Sequence, residues 1–448
     1  MTAILKTLLF TVLMLNISCV SFGQSEATDP KLLKLSLNEA LNLAQTQQID
    51  ILVSKERVQQ AIARLGQARS VLWPQISLDG QQARETTNLK AIGITLPASK
   101  PVIGPFNSFD ARFNLTQTLF DMSVIGRLRA AKAAKDLSRA EEVKTKQDVL
   151  ALVANLFLEA SRAQDAIGLA RAYVERSQKN FEITELMFQN GTGSELELKQ
   201  AKADLHEAKQ LFNETESTAV ERQLDLTAAL GIPNDSRIEY IETDLFSNVQ
   251  IPQLSEVGDV KEKHPDVLVA RQQFYQRKAE RWTELVEFLP KVSGFGNYGE
   301  SGTTPTSWDA TYAFGAKVTW PLFEGGNRWF KYREAQSQAR ESQKHIENIE
   351  RNAEATALSS IQKLKHALID VDAKEEAWLV AQKQLAITRG RTKTGIGSDY
   401  DVIKALADES LAHDQRNEAV SVYQLSQVNL LHSMGKLDAF LKSKKENP

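Results

Sequence analysis

A single cysteine, Cys19, is all the thiol this chain has. It falls inside an apolar run, residues 8–20, that follows Lys6 and precedes Ser21-Phe22-Gly23. That pattern reads as a secretory signal peptide over 1–23, with cleavage before Gln24. The run is too short to cross a bilayer comfortably. The alternative is a lipid on Cys19, but Asn16-Ile17-Ser18 matches a lipoprotein processing site poorly. An exported chain starting at Gln24 has no cysteine and builds its fold without disulfides. No other stretch reaches 18 apolar residues, so no helical membrane span is expected, while strands could still meet a membrane. The net charge is −3 without a long basic block, which argues against nucleic acid as a partner. The six histidines are scattered and none forms a HExxH-type pair. Nor is there a phosphate loop. The sequence therefore offers no catalytic residue, metal site or cofactor, and any energy must come from a partner. Proline and glycine are sparse, 12 and 22 in 448 residues, while Ala, Gln, Glu, Lys, Leu and Arg dominate long stretches. That composition favours long helices.

What is present is a repeat. "GTGSELEL" at 191–198 is echoed by "GIGSDYDV" at 395–402, and "LGIPND" at 230–235 by "MGKLD" at 434–438. "LTQTLFD" at 115–121 is answered by "VTWPLFE" at 318–324, "WPQISLDG" at 73–80 by "LPKVSGFG" at 289–296, and residues 49–58 by 265–274. Five anchors in one order mark a tandem duplication of about 200 residues, longer than solenoid repeats. The first copy carries about 13 extra residues near 84–109, a count that follows from the shift between anchors. The organisation is a signal peptide (1–23), a first repeat (24–231), an inter-repeat segment (232–258), a second repeat (259–435) and a tail (436–448).

Each repeat holds a long rod. Val149, Val153, Leu156, Ala160, Ala163, Ile167, Ala170, Val174, Ser177 and Phe181 alternate steps of four and three, a heptad seam that predicts left-handed supercoiling. No proline interrupts 121–189 or 325–394, so each rod is roughly 100 Å long. The second seam is noisier, with Lys374 at a core-equivalent position. Gly191 and Gly395 suit left-handed C-caps. Ser194 and Ser398 suit N-caps with acids in the first turn. Each motif is thus a tight hairpin, and the chain returns along 195–230 and 399–434. Those return helices are about half a rod long, and leading helices at 50–72 and 266–288 make up the difference if stacked end to end.

Between leading helix and rod, each copy has a strand pair. Phe113, Leu115 and Leu119 alternate with polar residues in the first copy; Tyr312, Phe314, Ala316, Val318, Trp320 and Leu322 do so in the second. Their partners are 75–85 and 291–301. One apolar and one polar face per strand fits a membrane barrel, with Trp73, Trp308 and Trp320 near strand ends. Four strands cannot close a barrel, so chains must associate: two give 8 strands and three give 12.

These residues resemble the TolC-like outer-membrane efflux protein family. The resemblance covers nearly all of the mature chain and rests on "SLNEALNLA" at 36–44, "HPDVLVAR" at 264–271, "LPKVSGFGNYG" at 289–299, "WPLFEGGN" at 320–327 and the two Gly-rich hairpins. It implies a mainly α fold with a small β part: a long coiled-coil helical barrel crossing the periplasm, and a homotrimer whose 12 strands form an outer-membrane β-barrel in contact with lipid. Residues 232–258 and the termini would form a belt. The implied function is an exit duct of a tripartite efflux or type I secretion system, opened by a periplasmic adaptor and an inner-membrane transporter. The resemblance places adaptor contacts at the hairpin tips, Gly191, Gly193, Ser194, Gly395, Gly397 and Ser398. It places a constricting carboxylate at Asp401, with Glu197 as its counterpart and Glu195 and Asp399 beside them. Lys404 stands where a second carboxylate can occur in the family. Three such acids around one lumen would repel one another and raise their pKa values. The competing reading of these acids is simple helix capping. Competing functions are a periplasmic coiled-coil scaffold without a pore, against which the alternating strands argue, and a porin-like diffusion channel, against which the rods argue.

Overall fold

The computed structural model describes residues 32–93, 101–241, 258, 260–304 and 306–440. The expected signal peptide, most of the inter-repeat segment and most of the tail lie outside the described residues. The described residues open on strand β1 (Leu32–Ser36) and helices α1 (Leu37–Gln47) and α2 (Ile49–Ser70). Strands β2 (Gln75–Asn88) and β3 (Val102–Phe120) lead into α3 (Met122–Gln189), 68 residues long, and α4 (Glu195–Leu230). Strand β4 (Arg237–Ile241) follows. The second half repeats the order: α5 (Val260–Lys263), α6 (Pro265–Val286), β5 (Lys291–Thr304), β6 (Ser307–Thr319), α7 (Asn327–Lys393) and α8 (Asp399–Ser433).

The helices form a single-layer wall. Along its sheet-side half α3 packs against α2 and α6, and along its far half against α4 and α8; α7 borders α6 and then α8. The two short helices of each repeat meet end to end. Gly231 ends α4 beside the Gln47 carbonyl, and Gly435, just past α8, abuts Pro265 at the start of α6. The seam of α3 follows the heptad reading: Val149, Val153, Ala160, Ala170 and Ser177 are buried, with Leu156, Ala163, Ile167, Val174 and Phe181 half-buried. In α7 the buried positions are mostly small, among them Ala335, Ala339, Ala353, Ala357 and Ala367, so neighbouring helices approach closely. Lys374 is accommodated by donating across the hairpin to Gln415 at 3.2 Å.

The densest core sits at the joints, midway along the wall. There Leu35, Leu37 and Leu41 of β1 and α1 meet Leu150, Val153 and Phe157 of α3, Leu226 and Leu230 of α4, Val428 of the second repeat and Leu437 just past it. A second cluster joins Val260 and Val267 to Ala357, Ile361, Leu364, Leu430 and Met434. Each buried leucine contributes roughly 2 kcal/mol of transfer free energy. The parallel pair β1–β4, Leu32↔Arg237 to Ser36↔Ile241, covers this belt. It was not visible in the sequence, because five-residue strands carry too little alternation to register.

The second sheet has the order β2-β3-β5-β6, antiparallel throughout. The extra residues of the first copy lengthen the β2–β3 hairpin, whose last pair is Asn88↔Val102, against Thr304↔Ser307 in β5–β6. One expectation is corrected. Trp320 and Leu322 are not strand residues, because β6 stops at Thr319. Pro321 has no N–H to offer a ladder, and Trp320 instead donates from Nε1 to the Phe288 carbonyl at 3.1 Å.

Candidate functional site at the hairpin tips and the sheet

The two tips are built alike. α3 is followed by Gly191 at φ 74°, and α7 by Gly395 at φ 75°. Positive φ is cheap only for glycine, which explains both positions. Orphan carbonyls are then satisfied: Met187 accepts from the amides of Thr192 (2.9 Å) and Gly193 (3.0 Å), and Arg391 accepts from Ile396 at 3.0 Å. Gly193 and Gly397 answer a different need, close approach. A Cβ on Gly193 would lie 3.0 Å from the Phe188 nitrogen, and one on Gly397 would lie 2.9 Å from Thr392 Oγ1.

The return helices open on capping boxes. Ser194 Oγ accepts from the Glu197 amide at 3.2 Å, while the Ser194 amide donates to Glu197 Oε2 at 2.9 Å. In the second tip Ser398 Oγ accepts from the Asp401 amide at 3.2 Å, and the Ser398 amide and hydroxyl donate to Asp401 Oδ2 at 3.1 and 2.8 Å. The Ser398 amide, then its hydroxyl, holds the Asp401 carboxyl below the usual aspartate range, with a lesser pull from Lys404. The Ser194 amide and hydroxyl lower Glu197 in the same way. Within one chain, capping thus opposes the upward shift that a ring of like charges would produce. Glu195 pairs with Lys199 at 2.7 Å. The side chain of Asp399 lies outside the described residues.

The sequence reading missed the apolar side chains at these tips. Leu186, Met187, Leu196, Ile396 and Tyr400 are all more than half exposed. Apolar residues within a few positions of a Gly-rich turn, where no core is within reach, were the available signal.

The sheet has two unlike faces. One row of cross-strand neighbours is Ile76, Leu115, Gly296 and Phe314; the next is Leu78, Phe113, Tyr298 and Tyr312. Phe113, Leu115, Leu119, Phe314 and Val318 all point to open space, Phe314 at 81% exposure. Trp320 and Leu322 are exposed just beyond the strand end. The opposite face is polar and internally bonded. Arg112 reaches Asp110 on its own strand (2.8 Å), Asn297 on β5 (3.0 Å) and Thr311 on β6 (3.3 Å), and Asn114 donates to Asp79. No helix among the described residues is long and apolar enough to cross a membrane. The described residues hold no cluster able to bind a metal ion.

Comparison with known proteins places this architecture. A family profile described as "Outer membrane efflux protein" matches residues 40–232 and 257–436. The chain belongs to that family. Among curated relatives, Outer membrane protein TolC of Salmonella enteritidis is 23% identical over 428 residues, covering 90% of this chain and 84% of that protein. The pyoverdine export outer membrane protein OpmQ of Pseudomonas putida is 21% identical, covering 88% and 83%. The alkaline protease secretion protein AprF of Pseudomonas aeruginosa is 23% identical, covering 74% and 71%. In three dimensions the chain shares its fold with the CmeC outer membrane channel of Campylobacter jejuni, with a TM-score of 0.76 at 19% identity, over 92% of this chain and 88% of that one. The protein is an outer-membrane channel of efflux or secretion systems in a Gram-negative bacterium, with its long helices extending into the periplasm.

Proposed function

We propose that three copies of this chain form one passive exit duct of a tripartite export system. The observation that carries the reading is the sheet. Its apolar face is bare, and its outer strands β2 and β6 each pair on one side only among the described residues. Open strand edges are not tolerated in hydrocarbon, so β6 of one chain pairs with β2 of the next and three chains close 12 strands. The polar face with Arg112, Asp110, Asn114 and Asp79 then lines the lumen. The helical wall continues the tube inward, and its six hairpin tips meet a periplasmic adaptor coupled to an inner-membrane transporter. Gly191, Gly193, Ser194, Gly395, Gly397 and Ser398 shape those tips, and the exposed Leu196, Ile396 and Tyr400 give them apolar purchase. Asp401 and Glu197, with Glu195, Asp399 and Lys404 close by, set the charge at the pore entrance. The duct performs no chemistry of its own. Mass measurement of the detergent-extracted protein tests the assembly: a trimer is expected, and a monomer or dimer would overturn it.

A further inference from the structure

The joint where α6 meets α8 is more than a packing contact. His264 caps α6 by accepting the Asp266 amide on Nδ1 at 3.2 Å, and it is buried, with 8% of its surface exposed. Lys144 of α3 lies between two acids, 3.0 Å from Asp148 and 2.6 Å from Asp266. The second oxygen of Asp148 meets His432 Nε2 of α8 at 2.8 Å. Gln147 of α3 donates to the Gly435 carbonyl at 3.3 Å. The charges on the far side are engaged elsewhere: Lys261 of α5 with Glu354, and Arg271 of α6 with Glu350. His264 therefore faces Asp266 from its own helix, Asp148 and Lys144 from α3, and His432 from α8.

We propose that this joint is an acid-sensitive release: a proton taken up by His264 undoes the α6 cap and lets α6 and α8 part from each other and from α3. The chemistry is local. A neutral imidazole offers the Nδ1 lone pair to the Asp266 amide, so its proton sits on Nε2. Protonation puts an N–H on Nδ1, donor against donor, and places a charge among buried groups. Burial, the largest influence, holds His264 below the usual imidazole range; Asp266 and, least of all, Asp148 pull the other way, while His432 and Lys144 add to the lowering. A base that takes protons less readily when folded stabilises the fold fully above the unfolded value of about 6.5 and loses that stability as pH falls below it. The joint is thus stiff at neutral pH and softens in acid, at the level where the sheet-side helices hand over to the tip-side hairpins.

Hydrogen exchange of the full-length trimer in detergent tests this, with protection factors read at pH 7.5 and 5.5. In the parent, amides of His264, residues 266–268 and residues 430–436 lose protection in acid, with a ceiling of about ten-fold set by a histidine that stays neutral when folded. Protection in β3 and β5 stays constant. His264→Asn keeps a short capping acceptor without a titrating group and removes the acid loss; His264→Ser is the second non-titrating cap should the asparagine variant not assemble. Unchanged protection in the parent joint refutes the proposal. So does equal loss in the sheet, or a variant that keeps the parent's acid loss. A failed trimer at pH 7.5 in the parent would instead count against the assembly, so the two failures read out separately.

Discussion

Replacing Gly435 by alanine isolates what the mid-wall joint contributes. Gly435 has φ 65°, and a Cβ placed there would sit 2.6 Å from Pro265 Cδ. The left-handed backbone costs a non-glycine residue about 1–2 kcal/mol. The steric part is separate. Ordinary carbon contacts lie near ~3.5–4.0 Å, so the rigid pyrrolidine must retreat by about 1 Å within a packed joint, an overpacking cost of about 1–3 kcal/mol. The sum is about 2–5 kcal/mol. Gly191→Ala is the control, because its φ is similar at 74° but its Cβ would meet nothing within 4 Å. It should cost only the backbone share, about 1–2 kcal/mol. Equilibrium denaturant unfolding of the detergent-solubilised protein, followed by helical circular dichroism, measures both. Pro265→Ala in the Gly435→Ala background should recover the steric share but not the backbone share, giving a coupling of about 1–3 kcal/mol in a double-mutant cycle. The reasoning is refuted if Gly435→Ala costs no more than Gly191→Ala, or if the cycle shows no coupling.

At the tips, Asp401→Asn keeps an oxygen for the Ser398 cap while removing the charge, so a loss of cation preference in planar-bilayer recordings reports the carboxylate and not an unravelled helix. Combining Asp401→Asn with Glu197→Gln should lose more; parental conductance, selectivity and multivalent-cation block in both variants would leave these acids as caps only. Replacing both Gly191 and Gly395 by valine should weaken chemical crosslinking to the adaptor while the barrel still inserts, and undiminished crosslinking would count against docking at the tips.

Much of this molecule was legible in one dimension because its local signals are strong. The rods show as proline-free heptads, and the helix bounds fall within a few residues of the expected ones. The hairpins show as a glycine that needs positive φ followed by a serine cap three residues on, the same signal in both repeats. The strands show as period-two alternation. The reading faltered where a signal was short or shared. Strands β1 and β4 are too brief to stand out, the apolar run into Trp320 and Leu322 continued past a proline that ends the ladder, and α1 was visible only through the family resemblance.

The sequence by itself determined the long helices, the hairpin turns and the apolar strand faces, since each depends on residues near one another in the chain, and it showed by comparison of two distant stretches that the unit is written twice. Tertiary structure alone decided the rest. It brought Leu35, Phe157, Leu226 and Val428 into one belt from both repeats, and it put Arg112 within reach of Asn297 and Thr311. It also assembled His264, Lys144, Asp148 and His432 at a joint spanning almost 300 residues of sequence. Such groupings leave no periodic trace, because they depend on where two half-length helices happen to abut against a third, and that is set by packing summed over the whole wall.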